Sequence, residues 1–119
     1  MARNLHAPPS YWVLTAEQKA SICNGAGPRG KGWMVPDTMY CLSVTEACNI
    51  HDYEYHVGTA EADRFAADLN LLCNLAITIL NAGAGVVLNR LRMARAVKYF
   101  LAVRYHGASA FDAGKHLPE

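Results

Sequence analysis

Residues 45–57 read Thr-Glu-Ala-Cys-Asn-Ile-His-Asp-Tyr-Glu-Tyr-His-Val, and Gly58 follows. Val44, Ala47, Cys48, His51 and Tyr55 recur at three- and four-residue steps, the period of one helix face. The spacing predicts a helix that begins near Ser43 or Thr45, runs to about Val57 and stops at Gly58 as a left-handed cap. His51 and Tyr55 share the apolar side, with Asp52 one step around it. Two polar groups are therefore expected to point at the core.

Working outward, the next helix is expected from Thr59 or Ala60 to about Asn81, ahead of Gly83-Ala84-Gly85. Phe65, Leu69, Leu72, Ala76 and Ile79 form its expected buried stripe. Asp68 falls on that stripe, whereas Asp63 lies on the other side with Asn70 and Asn74. A further helix, about Val86 to Tyr105 and ended by Gly107, is expected to turn Val87, Leu91, Ala94, Val97 and Leu101 inward and its arginines outward. Upstream, Thr15-Ala16-Glu17-Gln18 has the composition of a helix start, giving a short helix to about Ile22. Residues 23–32 hold four glycines and a proline, which forbids regular structure there. Strand signals are weak, with a small hairpin expected between Trp33 and Tyr40. The fold class is all-α: one small helical domain over residues 1–119.

Composition bounds the function. The chain has 119 residues, 52% of them hydrophobic, which excludes a disordered tail. A net charge of +1 argues against a general nucleic-acid binder. Every acid except Asp112 and Glu119 lies at or before Asp68, while Arg90, Arg92, Arg95, Lys98 and Arg104 crowd an acid-free stretch. That basic helix reads as a solvated face or as an attraction to an anionic surface such as lipid headgroups. The apolar run from Leu71 to Leu88 is broken by Asn74, Asn81 and two glycines, so no transmembrane segment is expected. The first residues lack a secretory signal pattern. Cys23, Cys41, Cys48 and Cys73 allow three disulfide pairings, or four free thiols, and their spacing fits no zinc module.

Burying a carboxylate without a partner costs several kcal/mol, so an Asp on an apolar stripe must meet a donor. If the two central helices pack antiparallel across the Gly58 turn, Asp68 can orient His51 through one ring nitrogen and leave the other as a general base. No serine sits in a nucleophile-elbow pattern, which makes water the expected nucleophile. Asp52 can offer carboxylate oxygens, and Cys23, Gly25 and Gly27 main-chain carbonyls, an all-oxygen set suited to Ca²⁺. Alone, the glycine loop also reads as an ordinary connector.

Asn24-Gly25-Ala26-Gly27, followed by Cys48-Asn49-Ile50-His51-Asp52-Tyr53-Glu54-Tyr55, resembles the phospholipase A2 superfamily, whose members share a GxG calcium loop and a CxxHDxxY helix. CNGAGPRG, VPDTMY, TEACNIHDYEY and ADRFAADLNLL are similar to the small phospholipase A2-like proteins of bacteria and their viruses. The resemblance covers about half of the chain. It implies that His51 is the general base, Asp52 the Ca²⁺ ligand, and Gly25 and Gly27 part of the calcium loop with Cys23 at its first carbonyl. It also implies that Tyr55 supports the buried acid, which is Asp68. The implied activity is hydrolysis of the sn-2 ester of glycerophospholipids at a membrane surface.

Several positions depart from the family pattern. Ala47 stands where the secreted animal enzymes have a cysteine, and Ala26-Gly27-Pro28-Arg29 differs from their double-glycine loop. A Cys48–Cys73 bridge is one expectation, with Cys23 and Cys41 left to pair, and four free thiols the other. An interfacial rim is expected from Tyr11, Trp12, Val13, Leu14 and Trp33 beside Arg29 and Lys31, although the aromatics read equally as core anchors. Glu54, His56 and His106 are expected at the surface, and His6 and His116 in frayed ends. The alternative function is a noncatalytic calcium- or lipid-binding module or virion component on the same scaffold.

Overall fold

The computed structural model describes residues 3–23, 36 and 38–112. The protein is mostly helical, with α1 (Pro9–Trp12), α2 (Ala16–Ile22), α3 (Thr45–Val57), α4 (Glu61–Ala82), α5 (Val86–His106) and α6 (Ala108–Asp112). A two-stranded antiparallel ribbon, β1 (Thr38–Met39) and β2 (Leu42–Ser43), precedes α3, with Thr38 opposite Ser43 and Met39 opposite Leu42. The hairpin thus lies later than expected from sequence. Its turn is Tyr40-Cys41, both at positive φ (47° and 65°), a conformation usually signalled by Asn or Gly. Arg92 holds that turn by donating to the Tyr40 carbonyl at 2.6 Å, and Arg95 lies over the Tyr40 ring.

Local chemistry explains the helix starts. Thr15 and Gln18 cap α2 reciprocally, each side chain accepting from the other's backbone N–H. Asp63 accepts from the N–H groups of Thr59 and Ala60 at 2.9 Å, which begins α4 and holds the Asp63 carboxyl below its usual range. Gly58 is not the expected left-handed cap: its φ is −71° and the chain runs on extended into α4. Space is its reason, because a Cβ there would come within 2.8 Å of the Phe111 ring. Gly83, at φ +66°, is the left-handed cap, closing α4.

Helices α3, α4 and α5 form the body, α4 packing against both others. Met39, Val44, Ala47, Leu75, Ala96 and Tyr99 belong to the main core. A second cluster of Tyr11, Ile50 and Tyr53 ties the N-terminal turns to α3, and a third joins Tyr55, Ala67 and Phe111.

The expected faces of α4 and α5 require correction. Phe65 and Leu69 are 47% and 45% exposed, and Leu72 and Ala76 are half-buried, so of the α4 stripe Ile79 alone is fully buried. The core side of α4 is Arg64, Ala67, Asp68, Leu71, Asn74 and Leu75. On α5 all five residues expected inward are exposed, and the core takes Arg92, Ala96, Tyr99 and Val103. Both helices carry apolar residues on two sides, so periodicity alone did not select the buried one. Polar partners did: Asn74, expected outward, is fully buried because its amide accepts from His6 N–H (2.7 Å) and donates to His6 C=O (2.9 Å). That bond also anchors His6, expected in a frayed end.

Helix α4 is long and apolar enough by composition to cross a membrane. In this fold it buries Arg64, Asp68 and Asn74 instead, as the centre of a helical core.

Candidate active site

The site is organised around Asp68, a fully buried carboxylate on α4. Oδ1 accepts from His51 Nε2 at 2.8 Å and from the Tyr55 hydroxyl at 2.6 Å, both on α3. Oδ2 accepts from Arg104 Nη1 at 2.8 Å, and Arg64 Nη1 lies 3.8 Å away. This set of donors replaces the water a buried carboxylate has lost. The packing of α3 against α4 therefore brings His51, Tyr55 and Asp68 together. Burial, and the Asp68 carboxylate beside it, push the Tyr55 phenol well above its ordinary range, so it acts as a donor.

His51 is nearly buried, its ring packed 4.1 Å from that of Tyr55. Because Asp68 engages Nε2, Nδ1 is the ring nitrogen that Asp68 does not hold. Adjacent Asp52 is half-buried, and its Oδ2 is a wholly buried oxygen with no hydrogen-bond partner among the described residues. Burial pushes the Asp52 carboxyl up to about 7. An uncompensated buried carboxylate is the feature a cation would relieve, so Asp52 fits the ligand role expected of it.

Cys23 closes α2 and sits at the same place. Its thiol donates to the Asn49 carbonyl at 3.2 Å, and burial, with the charge of Asp52 behind it, pushes that thiol up to about 11. Position is set from α2, where Lys19 pairs with Glu46 of α3 at 3.3 Å, and from α1, where the Tyr11 hydroxyl donates to the same carboxylate. Gly25 and Gly27, the remaining expected calcium ligands, lie outside the described residues, as do Arg29, Lys31, Trp33 and His116. No three His, Cys, Asp or Glu side chains gather as a metal site among the described residues, so the expected set depends on main-chain oxygens.

Other expectations are corrected here. No disulfide joins Cys23, Cys41, Cys48 and Cys73, which is the second of the two expectations. Cys48 packs in the core, whereas Cys73 is on the exposed side of α4, four residues from exposed Leu69, so no bridge joins the central helices. Tyr11 is a core anchor, while Trp12 and Val13 are 52% and 78% exposed. Glu54 is half-buried beside Asn70 (3.0 Å) rather than at the surface, and burial raises its carboxyl. His56 and His106 are exposed as expected.

Sequence reasoning missed both arginines. Arg64 had a local signal, standing four residues before Asp68 on the same helix face. Arg104 comes from α5, and nothing near it in sequence marks the contact. It also pairs with Glu61 at 2.9 Å and lies over the Phe65 ring, so one side chain links the dyad to the outside of the helix pair.

The chain matches no family model, no curated protein and no solved structure.

Proposed function

We propose that the protein is a Ca²⁺-dependent carboxylic ester hydrolase of the phospholipase A2 type, cleaving the sn-2 ester of glycerophospholipids at a membrane surface. One observation carries the reading: His51 is held by Asp68 through Nε2, while the next residue, Asp52, keeps a buried oxygen without a partner. A base and a cation ligand thus stand one residue apart. The CxxHDxxY resemblance supports the same assignment.

In this reading His51 Nδ1 takes a proton from water as the water oxygen bonds to the ester carbonyl carbon. Asp68 stabilises the resulting imidazolium, and Tyr55 and Arg104 hold that carboxylate in place. The imidazolium then returns its proton to the departing glycerol oxygen as the carbon–oxygen bond breaks, leaving a fatty acid and a lysophospholipid. Calcium, held by Asp52 and the carbonyls of Cys23, Gly25 and Gly27, would supply charge stabilisation for the carbonyl oxygen and the phosphate when bound.

Fatty acid release from phospholipid vesicles, with calcium and with chelator, tests the proposal. His51→Gln is expected to abolish release while leaving the fold intact. Undiminished release by that variant sinks the assignment. Calcium binding that depends on Asp52 without hydrolysis of any phospholipid would instead support the noncatalytic module.

A further inference from the structure

Helices α4 and α5 expose an apolar surface that the proposed chemistry does not use. On α4, Phe65, Leu69 and Leu80 follow at steps that keep them on one side, and all are substantially exposed. On α5, Val87, Val97 and Leu101 are exposed at 74%, 44% and 44%. Arg104 lies 4.9 Å over the Phe65 ring, which places the α5 row of Arg90, Val97, Leu101 and Arg104 on the same side of the helix pair as the Phe65 row of α4. The two rows therefore make one outer face, about 22 Å long from the rise of the helix. Single exposed apolar residues need no explanation, but a contiguous set of this length does.

Charge identifies the occupant. Exposed Arg90 and Lys98 are interleaved with the apolar residues on this side of α5, and no acid occurs between Asp68 and Asp112. Glu61, at the far end, is already paired with Arg64 and Arg104. A second copy is a poor fit, because an isologous contact would set these cations against their own images with no carboxylate between them. A protruding apolar face with a surplus of cations matches a bilayer bearing anionic headgroups.

We propose that the outer face of the α4–α5 hairpin docks the protein on anionic phospholipid bilayers, lying in the interface rather than spanning it. The buried side of the hairpin holds Arg64, Asp68, Asn74 and Arg92, so insertion through the bilayer would require exposing those groups to hydrocarbon. Docking is independent of the hydrolase reading: it needs neither calcium nor His51. It also assigns lipid contact to a surface other than the exposed Trp12-Val13 turn.

The test is co-sedimentation of the full chain with vesicles in chelator, so that binding is scored without hydrolysis. The protein is expected to bind phosphatidylcholine vesicles containing phosphatidylglycerol, to bind pure phosphatidylcholine far less, and to be released by salt. Arg90→Glu with Lys98→Glu is expected to lower the partition coefficient at least on the order of 30-fold, about fivefold for each cation lost near an anionic surface. Val97→Gln with Leu101→Gln is expected to weaken binding while preserving the helical circular dichroism, since both positions are exposed. Trp12→Ser is expected to leave binding unchanged. The proposal is overturned if both double variants bind like the parent, or if neutral and anionic vesicles bind equally. It is also overturned if Trp12→Ser alone removes binding, or if the face mediates a dimer in sedimentation equilibrium and no vesicle binding is found.

Discussion

Arg104 Nη1 donates to Asp68 Oδ2 at 2.8 Å, so the carboxylate that positions His51 is itself held from a third helix. Its two oxygens have separate tasks: Oδ1 faces His51 and Tyr55 on α3, Oδ2 faces Arg104 on α5. Arg64 stands behind at 3.8 Å and spends its shorter contacts on Glu61 (2.8 Å) and the Val103 carbonyl (3.2 Å). Arg104 therefore fixes the rotation of the carboxylate about its own axis, and through it the orientation of the imidazole.

Arg104→Met should remove that restraint with little loss of volume. The expected stability cost is about 2–3 kcal/mol by urea denaturation, below that of a fully buried pair because the Arg104 side chain keeps 22% exposure. Turnover should fall on the order of 10- to 100-fold from misplacement of the base. Arg104→Lys should recover part of the turnover. Destabilisation with unchanged turnover would reduce Arg104 to a strut between α4 and α5.

Tyr55 depends on a glycine. A Cβ at Gly107 would lie 2.5 Å from the Tyr55 hydroxyl and 2.4 Å from the Val103 carbonyl, at an ordinary helical φ of −81°. The constraint is space, not backbone strain. Gly107→Ala should displace the phenol from Asp68, cost about 1–3 kcal/mol by overpacking, and lower turnover about as much as Tyr55→Phe. Thermal melts and vesicle hydrolysis of both variants check this; a fully active, fully stable Gly107→Ala protein would contradict it.

Thiol accessibility gives a test of the fold that needs no activity. Cys41 and Cys73 are exposed, Cys48 is buried, and Cys23 is half-buried with its thiol pushed up to about 11. Mass spectrometry after brief maleimide treatment near neutral pH should find Cys41 and Cys73 labelled first, Cys23 slowly and Cys48 last, and all four equally in denaturant. Rapid labelling of Cys48 would mean that the α3–α4 packing differs from that described.

Much of this architecture is legible in the sequence, for identifiable reasons. The bounds of α3, α4 and α5 follow from caps and glycine breaks, and the structure places them within a residue or two of expectation. The inward sides of α4 and α5 do not follow, because leucines and valines surround both helices and the deciding groups are polar. Asp68 survives that error because it borders both the expected stripe and the true one. The Asn74–His6 and Arg104–Asp68 contacts span 68 and 36 residues, and no local pattern encodes a partner so distant. Tyr40-Cys41 hides its turn for a related reason: tertiary bonds from α5 hold a backbone that these side chains would not choose.

Asp52 should leave a signature in the pH dependence of stability. Burial raises its carboxyl from the ordinary 3.8 to about 7 in the folded chain. Between those values the folded state binds more protons than the unfolded state, so stability falls as pH rises. The loss is absent below about pH 4 and complete above about pH 7, where it is on the order of 2–4 kcal/mol for a shift of this size. Asp52→Asn removes the titration. Urea denaturation in chelator should therefore find the variant more stable than the parent near pH 8, with the difference shrinking towards pH 4. Calcium should offset the penalty by binding the ionised carboxylate, raising the melting temperature of the parent more at about pH 8 than at about pH 5, where protons compete for the same oxygens. Parallel pH profiles for parent and variant would show that the Asp52 carboxylate already has its charge compensated without a metal, and would remove the physical reason for placing the cation there.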